Sequence, residues 1–347
     1  MHSNNVKKVD QMYRETAGEA VSADLIPRKI HRRRSVQSVA VAAGCRAFVK
    51  NAMRIWALRP TVNWPFAAID FLAGLVPWRG QATIQHVRLP HCRAELISAQ
   101  GVSTARAVLY LHGGGFLACG LNTHRSMVAR LSRAADAVVL NVGYRMLPRH
   151  AVTDALADCV DALKWLGHQG YPPDSVVVAG DSAGGMLAFM LALNMIERGD
   201  GTPAGIATVS PLTDLGSSRR LAHPNARRCS MFSGRVLPVF AKYVEQCHER
   251  LSSGGSPCVL VPPVDADLSR MPPVAIHAGG DELLLHDAEL MAQRLTEAGI
   301  RCDLHVWQGQ IHDFPLAADI LPEGRQAIRY LGEFIAEVIA PRKPVAA

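Results

Sequence analysis

The chain has 347 residues, 49% of them hydrophobic and 19% charged. Such a composition supports a large buried core and excludes wholesale disorder, and 28 glycines with 21 prolines exclude collagen-like and low-complexity readings. The formal charge of +7 is lopsided: residues 1–80 carry 13 Lys/Arg against five Asp/Glu, a net of +8, while the remainder carries −1.

The segment Met1–Asp24 is polar, so no signal peptide is expected. The basic excess is densest at Arg28, Lys29, Arg32, Arg33 and Arg34. A solvated helix face or a basic arm accounts for such a run. Peripheral contact with a membrane surface is the functional alternative, because apolar segments follow it, and nucleic acid is not an expected partner. Residues 1–80 show no strand alternation. Val36–Leu58 reads as one amphipathic helix with interspersed Arg and Lys, broken by Pro60 and Pro65, with a second helix over Trp64–Leu75. The longest apolar stretch, Trp64–Trp78, is too short to span a bilayer and contains Asp70 and two prolines.

Around Val87 the pattern changes. Short apolar runs at Ala107–Leu111, Ala137–Val142, Ser175–Ala179, Ile206–Val209, Pro273–Ala278 and Cys302–Trp307 alternate with helical segments at Arg125–Ala135, Ala151–Leu166, Gly184–Arg198, His286–Ala298 and Arg325–Ile339. This alternation predicts βαβ units, hence an α/β fold with a mostly parallel sheet. Leu215–Pro263 interrupts it and reads as an insertion over the strand ends, with a helical patch near Val236–His248. The eight cysteines form no CxxC pair and no zinc-ligand spacing, which points to free thiols in a reducing, cytoplasmic setting, with membrane association as the variant.

Two glycine-rich motifs carry chemistry. Gly180-Asp181-Ser182-Ala183-Gly184-Gly185 follows an apolar strand and precedes a helical run, the context in which GxSxG places a nucleophile on a sharp strand-to-helix turn. That turn exposes Ser182 Oγ and aims the Ala183 N–H at the reacting oxygen. Asp181 reads as structural, because neighbouring side chains on such a turn diverge. His112-Gly113-Gly114-Gly115-Phe116 follows another strand, and its glycines free consecutive N–H groups to face an oxyanion. A Walker lysine and GxGxxG spacing are both absent, which argues against a phosphate cradle. His112, at the root of the loop, reads as a support rather than a base.

A serine nucleophile needs a histidine base and a carboxylate that fixes its tautomer, and where the serine sits on such a strand-to-helix turn the chain order is Ser, acid, His. Asp281, just past the strand Pro273–Ala278, is the expected acid; Glu282 is the runner-up, and Asp287 falls on the next helix. His312, in the loop after the last strand, is the expected base, with His286 and His305 read as structural.

Together these motifs resemble the hormone-sensitive lipase family of α/β-hydrolases. Tyr144-Arg145-Met146-Leu147-Pro148 and Ser210-Pro211-Leu212-Thr213-Asp214 support the resemblance, which spans roughly residues 87–340. It implies an α/β-hydrolase fold with a triad of Ser182, Asp281 and His312, and oxyanion N–H groups from Gly114, Gly115 and Ala183. The family's usual YRLAPE segment reads YRMLPR here, with Arg149 in place of an acid. It further implies a helical cap, assigned to residues 1–80 with its basic arm, on a catalytic domain of residues 81–347. The insertion at about 215–263 would add to that cap. Trp64, Phe66, Phe71, Leu72 and Trp78 would then pack on the core or line an acyl pocket. The implied activity is hydrolysis of short- to medium-chain carboxylic esters through an acyl-enzyme. An amidase or N-deacetylase and a lipase working at a lipid surface are the alternatives. A small-molecule or lipid ester is the expected substrate, no metal or cofactor is required, and the resemblance is compatible with a homodimer.

Overall fold

The computed structural model describes residues 27–76, 80–216, 218–252 and 260–339. In chain order the elements begin with strand β1 (Arg28–His31) and helices α1 (Val36–Ala47), α2 (Val49–Leu58) and α3 (Ala67–Leu75). Strands β2 (Ala82–Arg88), β3 (Arg93–Ala99) and β4 (Ala107–Leu111) lead to α4 (Leu121–Ala135), β5 (Val138–Gly143), α5 (Val152–His168), β6 (Val176–Asp181) and α6 (Ser182–Arg198). Next come β7 (Gly205–Val209), the short helices α7 (Ser218–Ala222) and α8 (Asn225–Arg228), and α9 (Val236–Ser252). The chain continues with β8 (Val274–Gly279), α10 (Leu285–Glu297), β9 (Cys302–Trp307) and α11 (Pro322–Val338).

The described strands form one sheet in the order β1-β9-β8-β7-β6-β4-β5-β3-β2. Pairing is parallel except at β2–β3 and β3–β5. The central strands β4, β6, β7 and β8 are buried along their whole length, which is why they read as continuous apolar runs without alternation. Helices α5, α6 and α10 cover one face of the sheet, and α4 and α11 cover the other. Among the described residues no helix is long and apolar enough to cross a membrane.

The first 80 residues depart from expectation in two ways. Arg28–His31 is not an arm or a helix face but an edge strand, parallel to β9. Two of its basic groups are engaged: Arg28 Nη1 lies 2.7 Å from Glu289 Oε1, and Lys29 Nζ sits 4.7 Å from the centre of the Tyr330 ring. The single helix expected over Val36–Leu58 is two helices, broken at Phe48 without a proline. Each half buries a different target. Ala42 of α1 packs with Trp307 and Phe314, whereas Trp56 of α2 packs against Tyr243 and Phe240 of α9. A straight helix would not serve both.

The helices of this segment are held by a few specific ties. Ser35 caps α1 through its Oγ and also donates to Glu323 in the first turn of α11. Lys50 Nζ donates to the Cys229 carbonyl at 2.6 Å. Asp70 of α3 accepts from Thr123 N at 2.9 Å and Asn122 Nδ2 at 3.0 Å, and so caps the start of α4 from outside. Trp64 and Phe66 pack against the core as expected. Phe71 and Leu72 instead stand in solvent, 65% and 58% exposed, because α3 turns only its other face inward. Trp78, Cys258 and Met1–Asp24 lie outside the described residues.

Candidate active site

Strand β6 delivers the nucleophile turn. Ser182 has φ +49°, a left-handed conformation that costs an ordinary L-residue about 1–3 kcal/mol and is tolerated where the surroundings enforce it. The enforcement is steric. A Cβ on Gly184 would lie 2.0 Å from the Leu111 carbonyl oxygen, and one on Gly180 2.5 Å from that of Gly184. Only glycine lets α6 start this close to β4. Ser182 thus sits at the first turn of α6, at the carboxyl edge of the sheet, buried but for 8% of its surface.

The loop after β9 brings His312 to it. His312 Nε2 lies 3.0 Å from Ser182 Oγ, and His312 Nδ1 lies 2.6 Å from Glu282 Oε2. The acid on the imidazole is therefore Glu282, not Asp281. The turn after β8 explains the difference. Glu282 N donates to Gly279 O, which closes the turn and directs residue 282 back toward the strand ends, fully buried. Its Oε1 accepts from Gly279 N at 2.7 Å, so the carboxylate is fixed at both oxygens. Asp281 stays partly exposed, and its backbone N–H goes to Gln310 O. Asn225 of α8 clamps the same turn by donating from Nδ2 to the carbonyls of Gly280 and Glu282.

A second carboxylate touches the base. Asp313 Oδ2 lies 3.0 Å from His312 Nε2, so that nitrogen faces both this oxygen and Ser182 Oγ. Asp313 also has a left-handed backbone, and its N–H donates to Ser210 Oγ. Burial pushes the Asp313 carboxyl up to about 7 against the pull of His312. Burial lowers the His312 imidazole, but the Asp313 charge and the hydrogen bonds to Asp313 and Glu282 outweigh it and hold the ring well above its ordinary value.

The glycine loop after β4 is supported from beneath by Asp181. This carboxylate accepts from Tyr110 Oη at 2.6 Å, Gly113 N at 3.0 Å and His124 Nε2 at 3.1 Å. Burial raises Asp181, yet His124 and Tyr110 outweigh that and hold it below the usual carboxylate range. Asp181 is thus structural, as its place beside the nucleophile implied. His112 is structural too. Its Nδ1 donates to Gly113 O, its ring stacks on Tyr144, and Tyr144 Oη donates to the His112 carbonyl. Burial drives the His112 imidazole down to about 4, so it stays neutral. Gly114 and Gly115 both have positive φ. Arg149 is exposed, and the loop rests on Asp181 and Tyr144. His286 and His305 lie away from the serine, on α10 and β9. Asp287 pairs with Arg220 at 2.9 Å and accepts from Thr213 N and Asp214 N, so it braces the insertion.

The insertion covers the site. The Phe232 ring stands edge-on to His312 with centroids 5.0 Å apart, and the Phe240 ring lies within 3.1 Å of where a Gly115 Cβ would be. Sequence reasoning missed Tyr110, His124, Asn225 and Asp313. Only Asp313 left a signal, as a carboxylate adjoining the chosen base.

Known proteins agree with this architecture. A family model described as the alpha/beta hydrolase fold matches residues 108–316. Esterase LipU of Mycobacterium tuberculosis is 40% identical over 83% of this chain and 98% of its own length. Carboxylesterase/phospholipase LipF of the same organism is 39% identical over 88% of this chain and 83% of its own. A crystal structure of EstE5 soaked with p-nitrophenyl butyrate superposes with a TM-score of 0.74 at 30% identity, over 88% of this chain and 99% of that one. A crystal structure of an esterase from the bacterial hormone-sensitive lipase family gives a TM-score of 0.75 at 30% identity, over 89% and 100%. On these likenesses, and with a glycine loop, a strained serine turn and a late histidine brought together, the chain belongs to the hormone-sensitive lipase family of α/β-hydrolases.

Proposed function

We propose that Ser182, His312 and Glu282 carry out carboxylic-ester hydrolysis, the activity of the enzyme class to which this chain belongs, through an acyl-enzyme. The observation that supports this most is the continuous hydrogen-bond path Glu282–His312–Ser182, with steps of 2.6 and 3.0 Å. Glu282 accepts from His312 Nδ1–H, which leaves Nε2 free to take the Ser182 proton. Ser182 Oγ attacks the ester carbonyl. The N–H groups of Gly114, Gly115 and Ala183 meet the oxyanion that forms. His312 then gives its proton to the leaving alcohol, and a water activated by the same nitrogen cleaves the acyl-enzyme. Asp313, beside Nε2, favours the imidazolium that exists between these transfers.

The acyl or alcohol part of the substrate is placed in a groove of about 350 Å³ between residues 61–66 and α9. The α9 face that sets Phe240 on the glycine loop carries Tyr243 and Cys247 into this groove, one and two turns further on. Its volume suits a short or medium chain. The seven described cysteines are all free thiols, which supports a cytoplasmic location, and cell fractionation tests that.

The decisive test is hydrolysis of p-nitrophenyl esters from acetate to palmitate. Wild type is expected to peak at short to medium chains, and Ser182→Ala to lose the activity at every length. Activity retained in Ser182→Ala, or no ester cleaved by the folded wild type, would refute the proposal.

A further inference from the structure

On the sheet face formed by α4 and α11, a groove of about 940 Å³ runs between α3, α4 and α11. It shares no residue with the triad or the glycine loop. Five arginines line it, Arg125, Arg130, Arg133, Arg325 and Arg329, against a single carboxylate, Asp319. Two of the five are closely paired: Arg125 with Glu95, which lies outside the groove, and Arg130 with Asp319. Arg133 reaches only the Gln81 amide oxygen at 3.4 Å, Arg325 donates to the carbonyls of Ala318 and Asp319, and Arg329 stands 3.7 Å from Glu333. Arg130 Nε is buried without a partner. Guanidinium groups converging on one groove recognise oxyanions, phosphate above all, through their forked donors.

The rim is apolar. Helix α3 contributes Ala73, and Val76 just past its end joins it in the groove, while Phe71, Leu72 and Leu75 of the helix stand in solvent, with Leu75 63% exposed. Asp70 anchors this helix to α4, so its apolar edge is held beside the arginines and not folded onto the core. A cationic groove bordered by an unburied apolar helix matches one chemistry: a phosphate head with acyl chains attached.

We propose that this groove docks the enzyme on an anionic phospholipid surface, with phosphate heads among the arginines and the α3 edge in the acyl layer. The exposed basic run at Arg32 and Arg33 is not the contact. Docking is independent of which ester the triad cleaves.

The test is co-sedimentation of the full chain with phosphatidylglycerol and phosphatidylcholine vesicles at low and high salt. Wild type is expected to bind phosphatidylglycerol alone and to release it in high salt. Arg133→Glu with Arg329→Glu should weaken binding about 25-fold or more, each removed charge being worth roughly fivefold. Leu72→Asp should weaken it as well, whereas Arg32→Glu with Arg33→Glu should leave it unchanged. Unaltered hydrolysis of p-nitrophenyl acetate checks folding, and Arg133→Gln with Arg329→Gln replaces the charge reversal if that fails. Three results would overturn the proposal. One is no vesicle binding by wild type, including the case where calorimetry finds inorganic phosphate bound in the groove. Another is binding lost in the Arg32/Arg33 variant and kept in the groove variant. The last is a dimer that Leu72→Asp dissociates while vesicles bind neither form, which would put a second copy on the face.

Discussion

At the carboxyl edge of the sheet, Asp181, Glu282, His312 and Asp313 are each under a tenth exposed, and each has at least one polar partner. In the N-terminal helices, Phe48 and Leu58 are 77% and 80% exposed, and a handful of polar ties at Ser35, Lys50 and Asp70 secure the whole layer. The first region uses buried, hydrogen-bonded charge to orient the reacting groups. The second is attached at points, so its outer surface can vary without moving the serine. Position is conferred by buried polar pairing at one place and by a few anchors at the other.

That contrast breaks most sharply at the triad. Ser182→Ala should lower kcat on p-nitrophenyl butyrate by about 10⁵-fold or more, with circular dichroism unchanged. Glu282→Gln should cost about 10⁴-fold in kcat by stabilising the wrong tautomer of His312, whereas Asp281→Asn should leave kcat near wild type. The reverse result would return the acid to Asp281. In the N-terminal helices, urea unfolding should show a loss of about 3–5 kcal/mol for Trp56→Ala, which is only 2% exposed. Phe71→Ser, on the solvent side of α3, should stay within about 0.5 kcal/mol. Equal losses would mean that these helices form a second core and not a tethered layer. The smallest effect is on pH. Catalysis needs His312 Nε2 unprotonated, and the Asp313 carboxylate favours its protonated form. Asp313→Asn should therefore move the acid limb of kcat/KM to lower pH, and a limb that stays in place would uncouple the two residues.

Much of this was legible because local chemistry and fold agree. The fully buried strands β4, β6, β7 and β8 are apolar apart from Asp181, Thr208 and His277, and the serine turn needs small residues for the steric reasons seen at Gly180 and Gly184. The misses have physical causes. β2 and β3 form an antiparallel edge pair whose mixed exposure leaves no apolar run. β1 is four residues long and basic, and only pairing with β9 makes it a strand. Asp281 and Glu282 adjoin in a turn, and which one faces inward depends on the Gly279–Glu282 hydrogen bond, not on composition. Tyr110, His124 and Asn225 act through contacts 55 or more residues away in the chain, beyond the reach of any local pattern.

The pairing of β1 with β9 has a consequence for how the protein is made. His31 O accepts from Gln308 N, and the two strands align from Arg28 with Leu304 to His31 with Trp307. Strand β1 therefore lacks its neighbour in the sheet until the ribosome has added β9, some 270 positions downstream. Until then β1 has nothing to zip to, and α1 has neither Trp307 nor Glu323 to rest on. The N-terminal layer and the catalytic base settle together, once β9 and α11 have been made.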